Sequence, residues 1–272
     1  MIEGTTRLAG VIGDPVSHSL SPRIHNAAFV ALGLDWAYVP LHVEAEALPA
    51  AFAGLAALGF VGANVTIPHK LAAVSLCDEL DPVAERAGSV NTVVVRADGT
   101  LFGTSTDGRA VVSGIEPEGA DVLLLGAGGA AQAVAAALVD AGIRSLAISS
   151  AERTEALAEV VRALAPELEV SELAWPPASE QAQIIVNATP IKDEVPVALR
   201  AAQQIVDLPY NPDGAPTALV TAARETGCEI VVEGLEVLVR QGAAAFAYWT
   251  GQEAPIEVMR AAVRGNPLDS RS

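Results

Sequence analysis

Short apolar runs alternate with longer helical patterns along most of the chain. Residues 8–13, 36–43 and 61–66 read as strands rich in branched and aromatic side chains. Between them, residues 21–32 and 46–58 read as helices closed by Gly33 and Gly59. Ser21-Pro22 has the form of a helix start, serine as cap and proline at the first helical position. Further helices are expected from about Leu71 and from Asp81-Pro82. Residues 89–96 and 101–103 then form a hairpin about Asp98-Gly99, with a helix from about Arg109.

The pattern becomes regular after residue 121. Residues 122–125 are the apolar run of a parallel strand buried on both faces. Gly126, Ala127, Gly128 and Gly129 make a turn, and the alanine-rich stretch from Ala130 favours a helix. The result is Gly126-x-Gly128-x-x-Ala131, a strand–turn–helix of the dinucleotide-binding form. The first glycine makes the tight turn. The second lets backbone approach a pyrophosphate, and the small third residue lets helix pack on strand. A tight turn without a ligand is the plainer reading of the same glycines.

Strands follow at 145–149, 184–187, 204–207 and 228–232, with helices at 152–164 and 215–225. This alternation implies a parallel sheet. The last two helices, 235–249 and 255–264, are followed by no strand and are expected to return to the first domain; the tail 265–272 is expected to fray.

Residues 122–139 hold 18 residues with Gln132 the one polar side chain, long enough to suggest a membrane span. Three glycines within four residues and the strand–turn–helix division argue against it. The first residues show no basic segment followed by an apolar core, so a cytoplasmic protein without membrane association is expected. Cys77 and Cys228 stand far apart with no motif around them and read as buried thiols of a reducing compartment. A net charge of −17 argues against nucleic acid as a partner, and an anionic cofactor would have to be held locally against that field. No metal site is expected.

Two other stretches hold candidate chemistry. Ser17 and Ser19 lie in a loop leading into a helix N-terminus, where hydroxyls and free amides suit a carboxylate, though serines there are commonly only caps. Lys70 is the first lysine of the chain and stands at a strand-to-helix junction; a solvated lysine is the default reading.

Several stretches together carry a resemblance: Gly13-Asp-Pro-Val-Ser-His-Ser-Leu-Ser-Pro22, Ala63-Asn-Val-Thr-Ile-Pro-His-Lys70, Ala87-Gly-Ser-Val-Asn-Thr92 and Thr106-Asp107-Gly108. Gly126-Ala-Gly-Gly-Ala130, Asn187-Ala-Thr-Pro190, Asp207-Leu-Pro-Tyr-Asn-Pro212 and residues 234–241 continue it. In that order they resemble the shikimate dehydrogenases over nearly the whole chain. The resemblance implies an α/β fold. An N-terminal substrate domain, 1–104 completed by 235–272, would accompany a Rossmann-type parallel-sheet dinucleotide domain, 105–234. It also implies reversible, NADP-dependent reduction of 3-dehydroshikimate to shikimate, by a monomer or homodimer.

By the same resemblance Lys70 is the catalytic lysine and Asp107 its partner aspartate, which also binds substrate hydroxyls. Ser17 and Ser19 would hold the substrate carboxylate with Tyr210 nearby, and Asn64, Thr66, Asn91 and Gln241 would read the ring hydroxyls. The cofactor would meet Gly126, Ala127, Gly128, Gly129, Ala130, Thr189, Leu208 and Gly234. Ser105 stands where the family usually has Asn, and Val237 where it often has Met. At the end of the second Rossmann strand the family's NADP form carries Asn-Arg-Thr; the match here is Ser150-Ala151-Glu152. Ser149, Ser150 or Arg153, the last one turn further on, would then meet the 2′-phosphate. NAD is the alternative cofactor, and a quinate or aminoshikimate dehydrogenase or a non-catalytic shikimate sensor the alternative function.

Overall fold

The computed structural model describes residues 2–177 and 182–264, so the expectation for the tail 265–272 falls outside the described residues. The chain divides into two compact units: Met1–Thr106 with Leu238–Ser272, and Asp107–Val237.

The first unit opens with β1 (Arg7–Gly13), α1 (Ser21–Ala31), β2 (Trp36–His42), α2 (Leu48–Ala57) and β3 (Phe60–Val65). It continues with β4 (Glu79–Leu80), α3 (Pro82–Ala87), β5 (Thr92–Val95) and β6 (Leu101–Thr104). The sheet order is β2-β1-β3-β5-β6-β4. The first three strands are parallel, while the hairpin strand β5 runs antiparallel to both β3 and β6. Gly99 takes the positive φ of 86° that the hairpin turn requires.

Two local expectations are corrected, and one strand is added that was not expected. Leu20, not Ser21, occupies the cap position of α1; Ser21 is its first helical residue, and Ser19 Oγ accepts from the Ser21 amide at 3.3 Å. The segment after Leu71 is a 3-10 helix, Ala72–Leu76, rather than an α-helix. Strand β4, two residues long, is too short to leave a hydrophobic pattern.

The second unit holds α4 (Asp107–Val112), β7 (Asp121–Leu125), α5 (Gly129–Asp140), β8 (Ser145–Ser149), α6 (Thr154–Leu164) and β9 (Glu169–Leu173). It ends with β10 (Ile184–Asn187), β11 (Gln204–Asp207), α7 (Ala218–Thr226) and β12 (Ile230–Val232). All six strands are parallel, in the order β12-β11-β10-β7-β8-β9. Read from the other edge this is the 3-2-1-4-5-6 order of a doubly wound dinucleotide fold, with its switch point between β7 and β10. Strand β9 escapes sequence reading because its Glu-Val-Ser-Glu-Leu side chains are half-buried or exposed on a sheet edge.

Helix α4 starts at Asp107, two residues before the expected Arg109. Helix α7 starts three residues late, because Thr217 caps it, its hydroxyl accepting from the Val220 amide at 3.2 Å.

Helices α8 (Gly234–Thr250) and α9 (Ile256–Arg264) complete the chain, and from Leu238 onward it belongs to the first unit. Trp249 shows how tightly. Its Nε1 donates to the Val93 carbonyl at 2.9 Å, and a Cβ on Gly62 of β3 would lie 2.3 Å from that nitrogen. Only glycine at position 62 lets α8 lie on the sheet. Among the described residues no helix is long and apolar enough to cross a membrane.

Candidate active site

In the first unit the polar side chains converge behind the carboxyl end of β3. Asn64 is buried in an otherwise apolar strand, Val61 to Val65. A buried amide must find partners, and Asn64 does: Nδ2 donates to Asn91 O and to Thr92 Oγ1, both at 3.1 Å. Its Oδ1 accepts from the Tyr38 hydroxyl at 2.7 Å. Asn91 in turn clasps Thr106. The Thr106 amide donates to Asn91 Oδ1 and Asn91 Nδ2 donates to Thr106 Oγ1, both at 2.9 Å. Thr92 and Thr106 thus join the site beside the expected residues. Their signal in the sequence is that they adjoin Asn91 and Asp107, residues already singled out.

Lys70 follows β3 by five residues and is half-buried. Its carbonyl accepts from the Val90 amide at 2.9 Å, which ties the lysine's backbone beside Asn91. His69, buried, anchors the same turn by its Nε2 at 2.7 Å from the Val43 carbonyl oxygen. Thr66, half-buried, packs on Gly13, where a Cβ would lie 2.4 Å from Thr66 Cγ2. Ser17 is exposed and Ser19 half-buried in the loop before α1. Gln241 is buried on α8, its Nε2 donating to Leu238 O at 2.8 Å. Asn64, Asn91 and the Lys70 backbone are therefore brought together by bonds.

Asp107 is buried as the first residue of the second unit. Ser105, two residues earlier, is buried with its hydroxyl unpartnered among the described residues. Val237 packs in the apolar core of the second unit, a buried cluster that includes Val206 and Val232.

The glycine turn has the shape of a phosphate cradle. Gly126 holds a φ of 104°, and its amide donates to Ser149 O at 2.9 Å across the sheet. A Cβ there would lie 3.0 Å from Ala188 O at the switch point between β7 and β10. At Gly128 a Cβ would meet nothing within 4 Å, so open space lies over the N-terminus of the 12-residue α5. Ala131 is fully buried against the strand. These residues fit a dinucleotide pyrophosphate: tight turn, open approach and free helix N–H groups. Ala127 points into the core, so its backbone alone faces the turn; Gly129 and Ala130 open α5 half-buried.

Thr189 follows β10 with its amide and hydroxyl both donating to Asn187 Oδ1, at 3.0 and 2.7 Å. Leu208 and Gly234 meet directly, since a Cβ on Gly234 would lie 2.4 Å from the Leu208 carbonyl oxygen. Tyr210, half-buried, lies two residues beyond Leu208.

The residues expected at the 2′-phosphate separate. Ser149 is fully buried and its hydroxyl donates to Ala174 O at 2.9 Å. Arg153 is exposed with a φ of 64° at the cap position of α6, which begins at Thr154. The expected start at Glu152 is thus two residues early, and Arg153 stands in the turn leaving β8 rather than a turn into the helix. Ser150 receives the Thr154 hydroxyl on its carbonyl at 3.1 Å.

Comparison with known proteins decides the family. The family model "Shikimate dehydrogenase substrate binding domain" matches residues 11–93, and "Shikimate 5'-dehydrogenase C-terminal domain" matches 234–264. The shikimate dehydrogenase (NADP(+)) of Rubrobacter xylanophilus is 44% identical, over 97% of this chain and 98% of its own. The chain belongs to the shikimate dehydrogenase family. A crystal structure of a shikimate dehydrogenase in complex with NADP+ covers 100% of this chain and 98% of its own, at TM-score 0.87 and 37% identity. The Thermus thermophilus shikimate 5-dehydrogenase, solved with NADP(H) and shikimate, covers 95% and 99% at TM-score 0.83 and 36% identity. Membership of the family agrees with the two-unit α/β architecture, in which the C-terminal helices return to the first sheet.

Proposed function

We propose that this chain interconverts 3-dehydroshikimate and shikimate with NADP. The observation that carries the reading is the end-to-end identity of 44% with an NADP(+) shikimate dehydrogenase. Within the chain, a buried amide-and-hydroxyl cluster around Asn64 and Asn91 and a glycine cradle at a doubly wound switch point support it.

Reducing a ketone develops negative charge on its oxygen, so a proton donor must reach that atom. The reduced form, NADPH, would supply the hydride to the ketone carbon when bound, and NADP+ would accept it in the reverse direction. Lys70 is assigned to give the proton to the carbonyl oxygen, and in the reverse direction to take it from the hydroxyl. Asp107 is assigned to the ring hydroxyls. Asn64, Thr66, Asn91 and Gln241 are assigned to the same hydroxyls as neutral hydrogen-bonding groups. Ser17, Ser19 and Tyr210 are assigned to the carboxylate. Gly126, Gly128, Gly129 and Ala130 are assigned to the pyrophosphate, Arg153 and Ser150 to the 2′-phosphate, and Ala127, Thr189, Leu208 and Gly234 to the remaining length of the dinucleotide.

Units 1–106 with 238–272 and 107–237 are the substrate and dinucleotide halves in this reading. It calls on one chain, as a monomer or as half of a homodimer. The free thiols Cys77 and Cys228, both half-buried, agree with work in the cytoplasm.

The test is nicotinamide reduction with shikimate, with NADP+ and NAD+ in parallel and quinate as control. Shikimate turnover with NADP+ that Lys70→Ala lowers at least about a thousandfold is expected. Binding without turnover would leave a sensor and sink the assignment.

A further inference from the structure

Tyr38 lies on β2, an edge strand of the first sheet, and is held from two sides by α1. Asn26 clamps its main chain, Nδ2 donating to Tyr38 O and Oδ1 accepting from the Tyr38 amide, both at 2.9 Å. That pairing supplies the partners an edge strand otherwise lacks. The neighbouring residue on α1, His25, stacks its ring on the Tyr38 ring, centroids 4.4 Å apart and planes within 10°. Trp249 closes over both rings, at 5.3 Å from His25 and 5.9 Å from Tyr38.

His25 is an expensive residue to bury. Neither ring nitrogen makes a hydrogen bond of acceptable geometry among the described residues. Burial pulls its pKa down to about 3, an effect that the nearby Asn64 side chain opposes only in part. The chain nevertheless makes room for the ring: a Cβ on Gly242 of α8 would lie 3.4 Å from His25 Nε2 and 2.6 Å from Ile24 Cδ1. Gly242 adjoins Gln241, one of the assigned substrate residues.

The one polar group that Tyr38 delivers from this clamp is its hydroxyl, which donates to Asn64 Oδ1. Both hydrogens of Asn64 Nδ2 go to Asn91 O and Thr92 Oγ1. The amide is thereby locked against a flip: oxygen toward Tyr38, nitrogen toward β5. A carbonyl oxygen holds two lone pairs. What Asn64 can still offer a ring hydroxyl is an acceptor, never a donor.

We propose that Tyr38 is the positioning residue that holds Asn64 as a hydrogen-bond acceptor for a substrate hydroxyl, with the stacked His25 holding Tyr38. The proposal rests on the assignment of Asn64 to the substrate. Tyr38 itself touches no reacting atom, so its removal should weaken substrate binding and spare the chemistry.

The test is a double-mutant cycle on the full chain. Tyr38→Phe should raise KM for shikimate about tenfold, with kcat and KM for NADP+ within about threefold of the parent. In an Asn64→Ala background, Tyr38→Phe should add nothing further to KM. Tyr248→Phe, which deletes a hydroxyl from an exposed tyrosine of the same unit, should leave all three constants unchanged. The Asn64 side-chain amide signals, observed by NMR without substrate, should lose exchange protection in Tyr38→Phe whether or not the parent turns shikimate over. Unchanged protection overturns the positioning claim on its own, as does an unchanged KM in an active parent. Additive effects in the Asn64→Ala background, or equal losses in kcat and both KM values, also overturn it. A parent inactive with shikimate fails the functional reading instead, and the amide protection still decides what Tyr38 does.

Discussion

Gly108 lies so close to Ala133 that a Cβ on it would stand 2.3 Å from the Ala133 carbonyl oxygen. The contact joins α4, which opens with Asp107, to α5, which opens with the phosphate cradle. The spacing between the carboxylate assigned to the substrate and the helix assigned to the pyrophosphate is set by this one missing methyl group. Gly108→Ala is expected to push α4 off α5, costing at least about 2 kcal/mol of stability. Displacing Asp107 by even part of an ångström should lower kcat/KM by about tenfold or more. Urea unfolding and steady-state rates on the same preparation check both. A variant of parental stability and activity would show that the helices can separate freely.

Ser149 and Arg153 are expected to answer differently to deletion. Ser149→Ala removes a buried hydrogen bond to Ala174 O and should cost about 1 kcal/mol of stability, with the NADP+ to NAD+ preference unchanged. Arg153→Ala removes an exposed cation at the entrance of α6 and should raise KM for NADP+ about tenfold or more, with KM for NAD+ unaffected. The ratio of kcat/KM values for the two cofactors is the measurement. A larger change from Ser149→Ala would return the buried serine to the cofactor site.

The two units carry opposite acid responses. His25 in the first unit has its pKa lowered from 6.5 to about 3 by burial. Its neutral form is the folded one, so stability is complete above pH 6.5 and is lost as pH falls toward 3. Asp207 in the second unit is fully buried, and burial raises its pKa from 3.8 to about 6 against the opposing hydrogen bonds from Thr217 and Asn187. Its native state binds the extra proton, so this contribution is present below pH 3.8 and is lost as pH rises through 6. Each is on the order of a few kcal/mol. Between pH 4 and 6 the two slopes oppose one another. His25→Phe should steepen the loss of stability with rising pH across that window, and Asp207→Asn should steepen the gain. Urea midpoints at several pH values check this; slopes parallel to the parent's would overturn it.

The hydrophobic pattern reveals most of the architecture because buried parallel strands carry uninterrupted apolar runs: residues 145–149, 184–187 and 204–207 coincide with β8, β10 and β11. It misses β9, whose edge position leaves its side chains polar, and β4, which is too short for any period. Helix starts are less legible because capping depends on which side chain folds back. Thr217 does so for α7, whereas Ser21 does not for α1. In the candidate site, the residues that resembled a known family stand out by motif, but those that hold them do not. Tyr38 and His25 look like ordinary core aromatics until the hydroxyl and the stacked ring are seen in place. Arg153 was legible as a cation, yet its position depends on a helix that begins two residues later than its composition suggests.

Helix α8 bears on how the chain is made. It begins in one unit and ends in the other, the boundary falling between Val237 and Leu238. The first sheet is laid down by residue 104, yet the indole that caps Gly62 and Val93 arrives only with residue 249. During synthesis from the N-terminus, the whole of 107–237 leaves the ribosome before that indole does. The segment written first is therefore the one that must wait longest to be finished.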